Sequence, residues 1–249
     1  MNITNKTALV TGGGSGIGFE ITRLFSEKGG RVIITGRHEE RLKNAAAKLD
    51  NVDYVVADVT KEADLDKLVA FVTQRYNGLD ILINNAATTN VYNLGVAAGA
   101  YEKAKIEIET NYLSVISLTE RLLPLLESQV EPAIVNINAI IGLTPSMHMP
   151  THSASKTALR AYTQVLRYTL ENAGSKVKIF EVLPPLVNTE FSRAIAKGSG
   201  ISPEEVAQAL LQGLETGTPE IRIGRSEQFY QAFFKGTEGA LAALNAPRK

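Results

Sequence analysis

Thr7-Ala8-Leu9-Val10-Thr11 runs without a break into Gly12-Gly13-Gly14-Ser15-Gly16-Ile17-Gly18, and an amphipathic stretch follows. The residues before the glycines are β-branched or apolar on both faces, as a buried parallel strand requires. After them Ile17, Ile21, Leu24 and Phe25 recur at i, i+4, i+7 and i+8, the spacing of one helical face. Glycines between a strand and a helix let backbone N–H groups approach a pyrophosphate closely, and the helix N-terminus adds a favourable dipole. A tight turn alone would also use glycine. The position after the first strand favours the phosphate reading, and the missing Gly-Lys-Ser/Thr ending disfavours a nucleoside-triphosphate loop.

The same alternation extends outward. Arg31–Thr35, Asp53–Ala57, Ile81–Asn84, Ala133–Ile137 and Lys178–Leu183 read as further strands. Between them Leu65, Leu68, Val69 and Val72 form a helical face, as do Ala158, Ala161, Tyr162, Val165 and Leu166. Strand and helix in turn imply an α/β fold, a doubly wound parallel sheet with helices on both faces. Ser202-Pro203-Glu204-Glu205 has the cap and first-turn proline of a helix start. No repeat, low-complexity tract or linker divides residues 1–249, so a single Rossmann-type domain is expected.

Composition sets the outer bounds. With 249 residues, 44% of them hydrophobic, the chain can bury a full core. Basic and acidic side chains balance at 26 each, so nothing overall favours nucleic acid or an anionic membrane as partner. Cysteine is absent, which excludes disulfides, thiolate metal sites and cysteine nucleophiles. There is no signal-peptide pattern and no apolar run near the roughly 20 residues of a membrane span. The expectation is a cytoplasmic protein with a small-molecule substrate.

The spacing Thr11-Gly12-x-x-x-Gly16-x-Gly18 resembles that of the short-chain dehydrogenase/reductase family, and other segments agree. Asp58-Val59 ends the third strand, where the family contacts adenine. Asn84-Asn85-Ala86-Ala87 is similar to the family's Asn-Asn-Ala-Gly, and Asn111 matches its helix asparagine. Ser153-Ala154-Ser155-Lys156 resembles the Tyr-Ser-Ala-Ser-Lys segment without its tyrosine. Pro184-Pro185-Leu186-Val187-Asn188-Thr189 resembles Pro-Gly-x-Val-x-Thr. The match runs from about Lys6 to Thr189. The Pro-Pro-Leu-Val segment and the C-terminal half also resemble a subgroup linked to teichoic-acid D-alanylation operons, which says nothing firm about substrate. The resemblance implies nicotinamide-dependent hydride transfer between a carbonyl and an alcohol. Implied cofactor contacts are Gly12, Gly14, Ser15, Gly16, Ile17, Gly18, Arg37, Asp58, Val59, Asn85, Ala86, Lys156, Val187 and Thr189.

Dinucleotide-binding proteins that use NAD(H) place an acidic residue after the second strand to hold the ribose 2′-hydroxyl. Here that strand ends Thr35-Gly36-Arg37, with glycine at the acidic position. A carboxylate would repel a 2′-phosphate, whereas a guanidinium pairs with it. NADP(H) is therefore favoured over NAD(H). Arg37 and Arg41 read alternatively as solvated residues at a helix start.

The family's catalytic set, as the resemblance implies it, is a tyrosine acid or base, a lysine four residues on, a serine on the substrate oxygen and a supporting asparagine. In this chain those positions are His152, Lys156, Ala139 and Asn111. Alanine cannot donate to an oxyanion. Asn138 is adjacent, but strand alternation turns it to the opposite face; Ser146 and Thr151 are candidate substitutes. His152 is an altered acid or marks a disabled site, with the Lys156 cation expected to lower its pKa. Two readings stand: an NADP(H)-dependent oxidoreductase with altered catalysis, and a non-catalytic NADP(H)-binding protein.

His148 and His152 lack a paired carboxylate, so no metal site is expected. Residues 190–202 match the family's substrate flap, with Gly198 and Gly200 consistent with mobility. Phe229, Tyr230, Phe233 and Phe234 on a C-terminal helix are expected to line the pocket or to pack on the core, the second reading being favoured, and Tyr112 and Tyr162 to lie in the core or an interface. The resemblance also implies a homodimer or homotetramer through the helices around Asn111–Leu126 and Ser153–Leu170. Val115, Leu118, Leu122 and Leu125 form an apolar stripe there that core packing explains equally well.

Overall fold

The computed structural model describes residues 1–76, 78–196 and 199–246, without the side chains of Ala194 and Ala196. The seven strands form one parallel sheet: β1 (Thr7–Thr11), β2 (Arg31–Gly36), β3 (Val52–Val56), β4 (Ile81–Asn84), β5 (Ala133–Ile137), β6 (Lys178–Leu183) and β7 (Glu220–Arg222). Their order across the sheet is β3-β2-β1-β4-β5-β6-β7. The order reverses between β1 and β4, and the crevice at the carboxyl ends of the strands opens there.

Strand pleating divides the core in two. Ala8, Val10, Val32, Ile34, Ile83, Val135 and Val182 face Ile21 and Phe25 of α1 (Gly16–Glu27), Leu42 of α2 (Glu39–Ala46) and Leu210 of α8 (Pro203–Thr216). Leu9, Ile33, Leu82, Ile134 and Ile179 face the other way. They meet Leu65 and Leu68 of α3 (Glu62–Arg75) and Leu118 and Leu122 of α5 (Ser114–Glu127). The expected apolar stripe on α5 is thus core: Val115, Leu118 and Leu122 are buried, and Leu125 packs against the second cluster.

Boundaries follow local bonds. β3 lies one residue earlier than expected, because the chain leaves the ladder after Ala57 N–H bonds the Gly36 carbonyl at 3.0 Å. Strand β7 escaped the sequence reading. Its three residues are Glu-Ile-Arg, too short and too charged to register as a strand, and only Ile221 is buried. It adds to β6 in parallel, with Val182 beside Ile221. Helix α8 begins where expected, on a capping box: Glu205 N–H donates to Ser202 Oγ at 3.1 Å and Ser202 N–H to Glu205 Oε2 at 2.7 Å. Among the described residues no helix is long and apolar enough to cross a membrane.

Candidate active site

A cavity of about 1010 Å³ runs along the carboxyl ends of the strands. One end is the glycine loop. Gly16 sits at φ +54°, a left-handed conformation that favours glycine. Gly18 lies beneath the loop rather than on the cavity wall: a Cβ there would come within 2.3 Å of the Gly12 carbonyl oxygen. Gly12, Gly14, Ser15, Gly16 and Ile17 line the cavity at the start of α1, so backbone N–H groups and the helix dipole face the same space.

Arg37, Asp58, Val59, Asn85, Ala86, Val187 and Thr189 continue the wall. Asn85 braces it, with Nδ2 donating to the Thr11 carbonyl at 2.8 Å and the Gly12 carbonyl at 3.2 Å. Asp58 accepts from Thr60 N–H at 3.0 Å and Thr60 Oγ1 at 2.8 Å. Burial pushes its carboxyl up, but those bonds and the Arg37 and Lys61 cations bring it below its ordinary value. Arg37 makes no hydrogen-bonded ion pair among the described residues. Arg41 pairs with Glu190 across the cavity rim at 3.2 Å. His38, Arg41 and Glu190 also line this end; sequence spacing alone did not single them out as site residues.

The other half contains Ala139, His152 and Lys156. His152 lies in the first turn of α6 (Pro150–Asn172) and Lys156 one turn later on the same face. Lys156 Nζ donates to the Ile137 carbonyl at 2.8 Å. Burial lowers its pKa to about 8, with the Glu181 carboxylate pulling the other way. His152 Nδ1 lies 3.0 Å from the Thr88 carbonyl oxygen and 3.2 Å from Asn111 Nδ2. Burial lowers its pKa to about 3, helped by the Lys156 cation and opposed by the Thr88 carbonyl.

Asn111 does not line the cavity. It sits in a π-helical turn, Glu109–Leu113, between α4 (Ala100–Ile108) and α5. The widened turn carries its amide to the Thr88 backbone: Thr88 N–H donates to Oδ1 at 2.8 Å, and Nδ2 donates to the Thr88 carbonyl at 2.9 Å. Asn138 is buried and committed elsewhere, with Nδ2 donating to Glu181 Oε1 at 2.7 Å and Oδ1 accepting from Ala139 N–H at 2.9 Å. Of the candidate serine substitutes, Ser146 lines the cavity. Thr151 does not; its hydroxyl is bonded to Tyr92 Oη at 2.7 Å.

The far wall corrects two expectations. Phe229, on α9 (Arg225–Lys235), lines the cavity with Arg225. Tyr230, Phe233 and Phe234 join neither core cluster and stack on one another beside it, because α9 lies outside the sheet layers. Gly200 is demanded by close packing rather than by motion: a Cβ there would sit 2.8 Å from the backbone of residues 186–188. Val187 pairs with Ile201, which ties the chain just before the 190–202 segment to that segment's end. Phe191 in that segment faces the His152 ring at 5.9 Å. Gly198 lies outside the described residues. His148 Nδ1 contacts Asn93 Oδ1 at 3.0 Å, away from the cavity. Tyr112 and Tyr162 stack edge-on at 6.2 Å, half-buried.

One stability prediction follows from His152. Its folded pKa of about 3 lies below the ordinary 6.5. Between those values the unfolded chain binds a proton that the folded chain does not. Its contribution is therefore complete above 6.5 and is lost as pH falls toward 3. A His152→Gln chain should lose less Tm than the parent between about pH 7 and about pH 4 in thermal melts. Equal losses would contradict the buried, neutral imidazole.

Residues 6–200 match the family model described as short chain dehydrogenase. An uncharacterized oxidoreductase of Bacillus subtilis strain 168, DltE, is 32% identical over 232 residues, covering 91% of each chain. An uncharacterized oxidoreductase of Staphylococcus aureus strain USA300 is 32% identical over 216 residues, 85% of this chain and 92% of that one. Among solved structures, a short chain dehydrogenase from Burkholderia cenocepacia J2315 in complex with NADP superposes with a TM-score of 0.87. It is 28% identical, over 99% of this chain and 100% of that one. A short chain dehydrogenase/reductase from Burkholderia phymatum in complex with NAD, 20% identical with a TM-score of 0.87, shares the fold over 100% of this chain and 98% of that one. The glycine loop, the sheet order and these matches together place the chain in the short-chain dehydrogenase/reductase family, whose members are oxidoreductases on a nucleotide-binding Rossmann fold.

Proposed function

We propose that the chain is an NADP(H)-dependent oxidoreductase that moves a hydride between the cofactor and a carbonyl or alcohol carbon, with His152 in place of the usual tyrosine. The observation that carries the reading is the continuity of one cavity from the glycine loop to Lys156 and His152. Its residues suit a dinucleotide: glycines where a Cβ would intrude, a helix start for the pyrophosphate, and a cation at the end of β2. When bound, the nicotinamide supplies or takes up the hydride. In this reading Gly12, Gly14, Ser15, Gly16 and Ile17 cradle the phosphates, with Gly18 keeping the loop close to α1. Asp58, Val59, Asn85 and Ala86 flank the adenosine half; Lys156, Val187 and Thr189 hold the nicotinamide half. His152 touches the substrate oxygen, Ala139 leaves that oxygen without the family's serine, and Asn111 is a positioning residue.

The preference for NADP(H) rests on the end of β2. Gly36 is not required by crowding, since a Cβ there would make only an ordinary 3.6 Å contact with Leu42. The absent carboxylate therefore leaves room for a 2′-phosphate beside Arg37, which makes no hydrogen-bonded ion pair among the described residues. A charged hydrogen bond contributes about 1.5–3 kcal/mol. Arg37→Ala should accordingly weaken NADPH binding by roughly 10- to 100-fold and leave NADH binding nearly unchanged. Fluorescence titration checks this; an equal loss for both nucleotides would remove Arg37 from the 2′-phosphate site.

Residues 190–202 act as the substrate flap in this reading, supported by the contact of Phe191 with His152. A homodimer or homotetramer through the helices around Asn111–Leu126 and Ser153–Leu170 is supported by exposed Leu113, Val165 and Tyr168 on them. The cysteine-free composition accords with a cytoplasmic location. Turnover is tested by following NADPH and NADP⁺ absorbance with matched carbonyl and alcohol pairs. Tight cofactor binding without turnover on either set would favour the second reading, a cofactor-binding protein without catalysis, which the replaced tyrosine and serine support.

A further inference from the structure

The hydrogen bonds around His152 select one of its two neutral tautomers. Thr88 N–H is a donor and meets Asn111 Oδ1 at 2.8 Å, which fixes the orientation of the amide. Asn111 Nδ2 then has two hydrogens, and two acceptors lie at 2.9 Å: the Thr88 carbonyl and Ser155 Oγ. Ser155 spends its own hydrogen on the His152 carbonyl at 2.7 Å, so its oxygen is left to accept. Both amide hydrogens are thereby used. His152 Nδ1 sits 3.0 Å from the Thr88 carbonyl, which can only accept, and at a longer 3.2 Å from Asn111 Nδ2. Nδ1 therefore carries the ring hydrogen and donates it to Thr88. Nε2, with no hydrogen-bond partner among the described residues, is the nitrogen left to the cavity that His152 lines.

We propose that His152 presents an unprotonated Nε2 to the substrate, so that this site recognises a hydroxyl by accepting its hydrogen bond rather than a carbonyl by donating one. The inference rests on the hydride-transfer reading and narrows its substrate class to alcohols. Thr88 and Asn111 are positioning residues that set the polarity of the site. The surroundings agree. Ala139 offers no hydroxyl at the family's serine position. The adjacent backbone donors are also occupied, Ala139 N–H by Asn138 Oδ1 at 2.9 Å and Ile140 N–H by the Pro184 carbonyl at 3.2 Å. A substrate carbonyl oxygen meets neither a serine nor a free backbone N–H there. An alcohol meets an acceptor held rigidly from behind. The Lys156 cation on the same helical face and the burial of the ring both keep the imidazole neutral.

The test is nitrogen NMR on the full chain labelled with ¹⁵N-histidine. Only three histidines are present, so a His152→Gln chain assigns the resonances. In the cofactor-free protein at neutral pH, His152 should show a protonated Nδ1 and an unprotonated Nε2. A predominant Nε2–H form would overturn the proposal. In protein saturated with NADP⁺, cyclohexanol should move the Nε2 resonance further than cyclohexanone does. An equal or larger response to the ketone, or no response to either, would overturn the preference for a hydroxyl. Nucleotide binding is read separately by fluorescence. If NADP(H) fails to bind, the hydride-transfer reading falls, while the tautomer of the free protein is still measured.

Discussion

Carbonyl reduction by NADPH is expected to rise by on the order of 100-fold or more when His152→Tyr and Ala139→Ser are combined in one chain. A donor aimed at a developing oxyanion contributes about 100- to 1,000-fold, and a positioned acid about 100- to 10,000-fold. The two act on the same oxygen, so their effects do not multiply, and the lower figure is the expectation. The parent supplies neither at the family's two positions. Its alanine has no hydroxyl, and its histidine can give a proton only as imidazolium, a form that burial and Lys156 hold to pH values near and below about 3. Lys156 is the charged group that faces the ring from its own helix; the Thr88 segment meets it with a carbonyl, the π-helical turn with the Asn111 amide and residue 191 with the Phe191 ring. Any reduction routed through imidazolium should therefore fall by about tenfold per pH unit through neutrality, while alcohol oxidation through neutral imidazole stays level. Tyrosine, with an ordinary pKa of about 10, removes that slope. The readout is kcat/KM for both directions across pH. A double variant that folds and binds NADPH but gains nothing would show that more than these two side chains separates this site from the family's usual chemistry.

Arg160→Met is expected to cost about 3–5 kcal/mol of folding stability. Glu181 on β6 is fully buried, and Arg160 on α6 donates to it at 2.6 Å while Asn138 Nδ2 donates at 2.7 Å. The second arm of Arg160 reaches Glu220 on β7 at 2.8 Å. Burial pushes the Glu181 carboxyl up to about 7, against the pull of the guanidinium and the amide. Without Arg160, a carboxylate would stand in the interior with only an amide for company. For a chain of this size the loss corresponds to roughly 6–20 °C in Tm. Losing the guanidinium raises the Glu181 carboxyl further above about 7, so the deficit should be largest at alkaline pH and narrow as pH falls toward about 7. Adding Glu181→Gln to Arg160→Met should recover part of it, because a neutral amide is cheaper to bury than an unpaired charge. An unchanged Tm in the single variant would mean that the pair contributes no net stability. The network also connects to the site: Glu181 holds Asn138, and Asn138 holds the Ala139 backbone against the cavity wall.

Much of this was legible in the sequence for physical reasons. Buried parallel strands need apolar residues on both faces, so Leu9, Val10, Ile33 and Ile34 announced β1 and β2. A glycine loop between strand and helix has few other uses, and the one-turn spacing from His152 to Lys156 placed both on a single helical face. Strand β7 was not legible, because it is held by Ile221 and by its neighbour rather than by its own pattern. For the four C-terminal aromatics the core was favoured over the pocket, yet Phe229 turns to the cavity; a helix outside the sheet layers has the same periodicity as one packed on them. Gly200 looked like a hinge, and its contact with residues 186–188 is invisible without the third dimension. The tautomer of His152 was equally out of reach, since it depends on a carbonyl 64 positions away in the chain.

The most direct measurement is a fluorescence titration of the unmodified chain with NADPH and NADH at fixed ionic strength. Tighter binding of NADPH than of NADH is expected, from the vacant acidic position at Gly36 and the Arg37 guanidinium that lines the cavity near the glycine loop. Failure to bind either nucleotide would contradict the proposed function at its root, and tighter binding of NADH would contradict the assignment of Arg37.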